Sequence, residues 1–235
     1  MKKNQKFNNF IKIVLFVLWV GFACIASQFI VGIPLIMFLG VNTLETPVWT
    51  TIYTALSYIL SAVLIIFAPK IVSKKLATSR EELGLTDLPT FTDIGISILG
   101  IIATFVVAGI AIGILSVFPW FNAEETQEIG YSTQIIGIDR IVAFLALVVV
   151  APFFEELIFR GWLYGKLKGM ISVIPAIALV SVLFGALHGQ LNVGVTVGIM
   201  SVIMCIEREL TGTIYAGILT HMLKNGIAFW LLFVM

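Results

Sequence analysis

Charge is what this 235-residue sequence has least of. Lys, Arg, Asp and Glu together make up 11% of it, where soluble globular domains carry about 25%. With 60% apolar residues and a mean hydropathy of +1.09, it holds more hydrocarbon than a water-soluble fold of this length hides, because small domains keep much of their surface exposed. Lipid is the solvent that fits. A net charge of +1 leaves no basic excess for a nucleic-acid partner. Cysteine is scarce too. Cys24 and Cys205 lie in separate apolar runs without CxxC spacing, which argues against a disulfide framework and for two small buried hydrophobes.

What the sequence does have is long apolar runs. A spanning helix needs about 20 of these residues, and spans are expected near 10–39, 49–68, 91–118, 138–164, 171–189, 191–206 and 212–234. The expected fold is all-α, a polytopic bundle of seven or eight transmembrane helices around an intramembrane polar cavity. It forms one integral membrane domain over residues 1–235, without an internal repeat. The start, "MKKNQKFNNFIKIVLFVLWVGFACIASQF", imitates a signal peptide, but its apolar run continues through "IVGIPLIMFLG", past an h-region of about 7–15 residues. It reads as a retained anchor.

Lysine and arginine placement sets orientation. Lys2, Lys3 and Lys6 put the N-terminus in the cytoplasm, joined there by Lys70, Lys74, Lys75 and Arg80, then Lys166 and Lys168, then Arg208. "VNTLETP" and the acidic "PWFNAEETQEIGYSTQ", with Glu124, Glu125 and Glu128, are expected outside. Trp49, Trp120 and Tyr131 fall near the interfaces, as an aromatic belt does. The short lysine-bearing loops suggest a bacterial plasma membrane. The pairs "GIAIG" and "GVTVG" are expected to let helices pack closely.

Ionisable residues inside spans are costly and mark functional candidates. They are Glu155, Glu156, Arg160, His188, His221 and Lys224, with Asn225 beside them, and both histidines of the chain are among them. Residues four apart share a helix face, so Glu156 and Arg160 are expected to pair, leaving Glu155 about 100° away as the carboxylate free for chemistry. Pro152 removes a backbone donor and invites a bend just before the pair. Phe184 and His188 are four apart, so the ring fixes the imidazole. His221 and Asn225 offer an imidazole and an amide to one space, while Lys224 is assigned to another face, where its stem snorkels. A carboxylate, two imidazoles and an amide suit water activation beside a polarised carbonyl.

"EELIFRG", "FGALH" and "HMLKN" resemble the three motifs of the CAAX protease and bacteriocin-processing (Abi) family of intramembrane glutamate endopeptidases, relatives of the type II CAAX prenyl endopeptidase. The pattern Glu-Glu-x-x-x-Arg, Phe-x-x-x-His, His-x-x-x-Asn is filled in order within about 145–230. The resemblance implies Glu155 and His188 activating water, and His221 and Asn225 forming the oxyanion hole. Glu156, Arg160 and Phe184 are supporting residues, and no metal or cofactor is implied. The partners it implies are the bilayer and a membrane-associated peptide of prenylated, leader-bearing, pheromone or bacteriocin type. Two other readings stay open. In one, these residues are interhelical glue in a non-catalytic immunity or regulatory scaffold. In the other, they ligate zinc in a membrane protease, although no His-Glu-x-x-His occurs.

Overall fold

The computed structural model describes residues 2–42, 46–125 and 130–235, with no strand among them. Glu128 lies outside the described residues, as do the side chains of Lys2, Lys3, Lys6 and Lys75. The helices are α1 (Lys2–Leu39), α2 (Pro47–Val72), α3 (Arg80–Leu83), α4 (Phe91–Leu115), α5 (Gly137–Lys168), α6 (Val173–Ala186), α7 (Leu191–Thr211) and α8 (Tyr215–Phe233). Six of them are long and apolar enough to cross a membrane, α1 through its Phe7–Leu39 stretch. The protein is a polytopic helical bundle.

All seven expected spans are present as helices; most ends shift by a few residues, and two of the shifts bear on the site. Helix α6 has 14 residues, about 21 Å of rise, short of a hydrocarbon core of about 30 Å. It stops early because Leu187, His188 and Gly189 leave the helix, with Gly189 at φ 74°. Helix α7 runs past its expected end at 206 to Thr211, and the additional residues Glu207 and Arg208 are both 2% exposed.

Local chemistry sets the remaining boundaries. Pro47 opens α2, where a missing N–H costs nothing. Thr90 and Asp93 form a capping box at the start of α4, as Ser79 and Glu82 do for α3. Once formed, α5 is the central rod. It packs against α1, α2, α6, α7 and α8, while α4 lies against α7 and α8. Its buried face carries Ile158, Trp162, Leu163 and Tyr164 into the main core with Phe184, Met200 and Met204. The outward residues of α4, among them Leu99, Ile102, Val106 and Ile110, are exposed, as a lipid-facing surface requires.

Close approaches use particular glycines. A Cβ on Gly185 of α6 would come within 2.6 Å of the Gly194 carbonyl of α7, a fixed backbone atom, so α6 and α7 touch through "GVTVG" as expected. Gly109 and Gly113 meet nothing within 4 Å. Among the described residues, the two glycines of "GIAIG" are therefore not points of close helix approach.

The polar connections divide the bundle into two ends. At one, Lys166 pairs with Glu82 (2.9 Å), Lys168 with Glu209 (2.7 Å), Asn9 donates to Met170 O (3.2 Å), and Ile214 N donates to Gly84 O (3.1 Å). There Arg208, read from sequence as a loop charge, is buried instead and donates to Gly161 O (3.1 Å) and Glu82 O. At the other end, Thr51 meets Tyr131 (2.9 Å), and Asn192 donates to Ala123 O (3.3 Å) and Glu125 O (2.8 Å). The base-bearing and acid-bearing loops thus lie at opposite ends.

Candidate active site

Helix α5 is α-helical over Gly137–Phe144, Ala151–Glu156 and Tyr164–Lys168, with π-helical stretches at Leu145–Val150 and Leu157–Leu163. The first π stretch meets Pro152. Ala151 N–H donates five residues back to Ala146 O, and Pro152 has no N–H to give. The Leu147 carbonyl is thereby left without either its i+4 or its i+5 backbone donor. It accepts from Asn225 Nδ2 of α8 instead (2.9 Å). The bend expected at Pro152 takes the form of a π-turn, and its consequence is an anchored amide.

Beyond this turn Glu155 and Glu156 diverge as their spacing requires. Glu156 is fully buried and forms an ion pair with Arg160 Nη1 at 2.9 Å, both side chains 0% exposed. The pair is close in distance but lacks the angle of a hydrogen bond. The guanidinium lies 4.3 Å above the Phe184 ring, a cation–π contact that offsets part of its lost hydration. Glu156 Oε1 also faces His221 Nδ1 at 3.0 Å, so it orients the imidazole as well as supporting the helix.

Glu155 has no partner on its own helix, but it is not free. Tyr58 of α2 donates its hydroxyl to Glu155 Oε1, and His221 Nε2 lies 3.7 Å from Oε2. The carboxylate is 16% exposed and His221 3%. His188, just beyond the end of α6, contacts Phe184 O through Nδ1 at 2.8 Å, with its ring edge-on to Phe184 at 5.0 Å. A carbonyl only accepts, so Nδ1 carries a proton, and the neutral form of the ring has its lone pair on Nε2. Phe184 also stands edge-on to His221, centroids 5.8 Å apart, and thus positions both histidines.

Glu155, His188, His221 and Asn225 line one cavity of about 380 Å³ together with Tyr58 and Lys224. A second cavity of about 550 Å³, between α1, α2, α5 and α6, shares Tyr58, Glu155 and His188 with the first. The two spaces meet at the Glu155 carboxylate. His188 makes no hydrogen bond to Glu155 among the described residues; the two share walls, as one water between them would require.

A family model of the type II CAAX prenyl endopeptidase Rce1-like kind matches residues 137–227, which run from the first residue of α5 to just past Asn225. Over that segment the chain is similar to the Rce1-like family. It is also 28% identical over 134 residues to "Putative membrane peptidase YdiL" of Bacillus subtilis (strain 168), a match covering 56% of this chain and 55% of that protein. The chain thus spans about half the length of the curated relative it matches. No solved structure matches it.

Of three further polar residues near the site, two escape the sequence and one is misplaced by it. Tyr58 is 97 residues from its partner Glu155 and carries no motif. Lys224 lines the cavity rather than leaving it, a correction to its assignment to another face; at three residues from His221 it lies only about 60° round the helix. Glu207 was hidden by ending the span at 206. It is buried, accepts from Thr220 Oγ1 at 2.6 Å, and leaves Oε2 without a hydrogen-bond partner among the described residues. Gly217 separates it from Glu156: a Cβ there would lie 3.1 Å from Glu156 Oε2 and 3.8 Å from Glu207 Oε2.

Proposed function

We propose that this chain is an intramembrane endopeptidase that hydrolyses a peptide bond of a membrane-associated peptide, using water activated by Glu155 and His188. The observation that carries this reading is the common cavity of Glu155, His188, His221 and Asn225, drawn from two helices, α5 and α8, and the turn after α6. The similarity of residues 137–227 to the Rce1-like family and the name of the Bacillus relative agree with it.

In this mechanism the lone pair on His188 Nε2 holds the water, and Glu155 takes its proton as the oxygen attacks the scissile carbonyl carbon. Negative charge then develops on the carbonyl oxygen. Asn225 spends one amide hydrogen on Leu147 O and has a second for that oxyanion. His221 donates from Nε2 while Nδ1 donates to Glu156, the doubly protonated ring whose charge Glu155 and Glu156 balance. Preorganised donors of this kind contribute a few kcal/mol each. Glu155 returns the proton to the leaving amine as the C–N bond breaks, so atoms and charge balance. We read the reaction as metal-independent: the His221 nitrogens face carboxylates, His188 Nδ1 faces a carbonyl, and among the described residues no three His, Cys, Asp or Glu side chains are arranged to hold a metal ion. The base-rich end is assigned to the cytoplasm of a bacterial plasma membrane.

The test is incubation of the purified chain, reconstituted in vesicles, with extracted membrane peptides in ¹⁸O-water. New peptide C-termini carrying ¹⁸O are expected with the wild-type chain and absent with Glu155→Ala. Equal product from both would overturn the assignment.

The Leu147–Asn225 anchor gives a separate expectation. In Pro152→Ala a backbone N–H returns to compete for Leu147 O, releasing the amide. Peptide hydrolysis should fall by up to about 10²-fold, the scale of a roughly 1 Å misplacement, with helix content by circular dichroism unchanged. Unaltered turnover would mean that the π-turn does not position Asn225.

A further inference from the structure

We propose that Lys224 binds a carboxylate of the substrate, so that the site selects peptides with one anionic group close to the scissile bond. This rests on the hydrolase reading above. Helix α8 places Lys224 three residues after His221 and next to Asn225, and its side chain lines the cavity that holds both. It also lines a second pocket of about 290 Å³ formed by Ile112 of α4, Ala123, and Asn192 and Thr196 of α7. Lys224 therefore stands between the reacting groups and a small side pocket towards the acid-bearing end.

Its lack of a partner is what points to a ligand. Among the described residues, the other buried or half-buried basic side chains are all engaged: Arg160 with Glu156, Lys166 with Glu82, Arg208 with two carbonyls, and Arg140 with Ile135 O. Lys224 makes no ion pair or hydrogen bond with them. The acid within its electrostatic reach is Glu155, whose oxygens are turned to Tyr58 and His221. An ammonium kept without a fixed partner at membrane depth marks a path or seat for a charged substrate group. A carboxylate suits this seat better than a phosphate. There is one cation and no arginine fork, and the Asn192 amide is already spent on Ala123 O and Glu125 O.

The carboxylate has two sources, a peptide C-terminus or an Asp or Glu side chain, and one experiment separates them. A quenched-fluorescent peptide with randomised positions is prepared as free acid, as C-terminal amide, and as amide with Asp or Asn placed after the randomised segment. The reconstituted wild-type chain should cleave the anionic versions roughly tenfold better in kcat/KM than the neutral ones, mostly through KM. Preference for the free acid identifies the terminus, and preference for the Asp amide identifies a side chain. In Lys224→Met the preference should vanish, and in Lys224→Arg it should persist. Equal wild-type cleavage of all versions overturns the inference and leaves the hydrolase reading standing. So does a Lys224→Met loss that falls equally on every version through kcat, which would make Lys224 an electrostatic part of the chemistry. No cleavage of any version by wild type overturns the proposed function, and the inference with it.

Discussion

Glu155→Gln is expected to lower peptide hydrolysis by about 10²–10⁴-fold, the usual contribution of a positioned general base, while leaving the bundle folded. Gln keeps an oxygen to accept from Tyr58, so the contact between α2 and α5 survives. The side chain is also partly exposed to the cavity at 16%, and Glu156 still faces His221. Turnover measured on purified protein, alongside thermal unfolding in the same detergent, separates the two quantities. A variant within two- to three-fold of wild type would mean that Glu155 does not take the proton, whatever else the cavity does.

The second large effect is on stability. Arg160→Met is expected to destabilise the bundle by about 3–5 kcal/mol, the cost of leaving one partner of a buried ion pair uncompensated. Glu156 is 0% exposed and would keep only His221 as an opposite pole. The arginine is itself poorly provided for. Its Nε and Nη2 have no hydrogen-bond acceptor among the described residues, and the Phe184 face is its other contact. Removing both charges should therefore cost less than removing one. Glu156→Gln with Arg160→Met is expected to regain at least half of the lost stability in chemical denaturation. It should not regain activity, because His221 Nδ1 would face an amide in place of a carboxylate. If Arg160→Met unfolds within about 1 kcal/mol of wild type, the pair is not what holds α5 in register.

These expectations separate what the sequence makes legible from what it does not. Everything governed by local helix arithmetic could be read directly. Four-residue spacing gives the Glu156–Arg160 pair and the Phe184–His188 contact, and apolar run length gives the helices. What failed lay across helices or at their ends. Tyr58 reaches Glu155 from another span, and tyrosine in an apolar run looks like any interfacial aromatic. Lys224 and His221 differ by about 60° on α8, which spacing alone does not resolve into the same or a different wall. Glu207 and Arg208 were lost because a hydropathy run ends at the first charge, while the helix itself continues wherever partners such as Thr220, Gly161 and Glu82 are waiting. Pro152 was recognised as a disturbance, but only the register of α5 reveals that the freed Leu147 carbonyl anchors Asn225.

The central claim is that Glu155 and His188, from different elements, act on one water. Groups that act as a unit in catalysis are strongly non-additive. The most direct measurement is kcat for wild type, Glu155→Gln, His188→Ala and the double variant on one cleavable membrane peptide, each confirmed folded by its unfolding transition. The double variant is expected to be no more than a few-fold slower than the slower single variant. A double variant whose loss equals the product of the two single losses would show that the residues act independently, and would contradict a shared water.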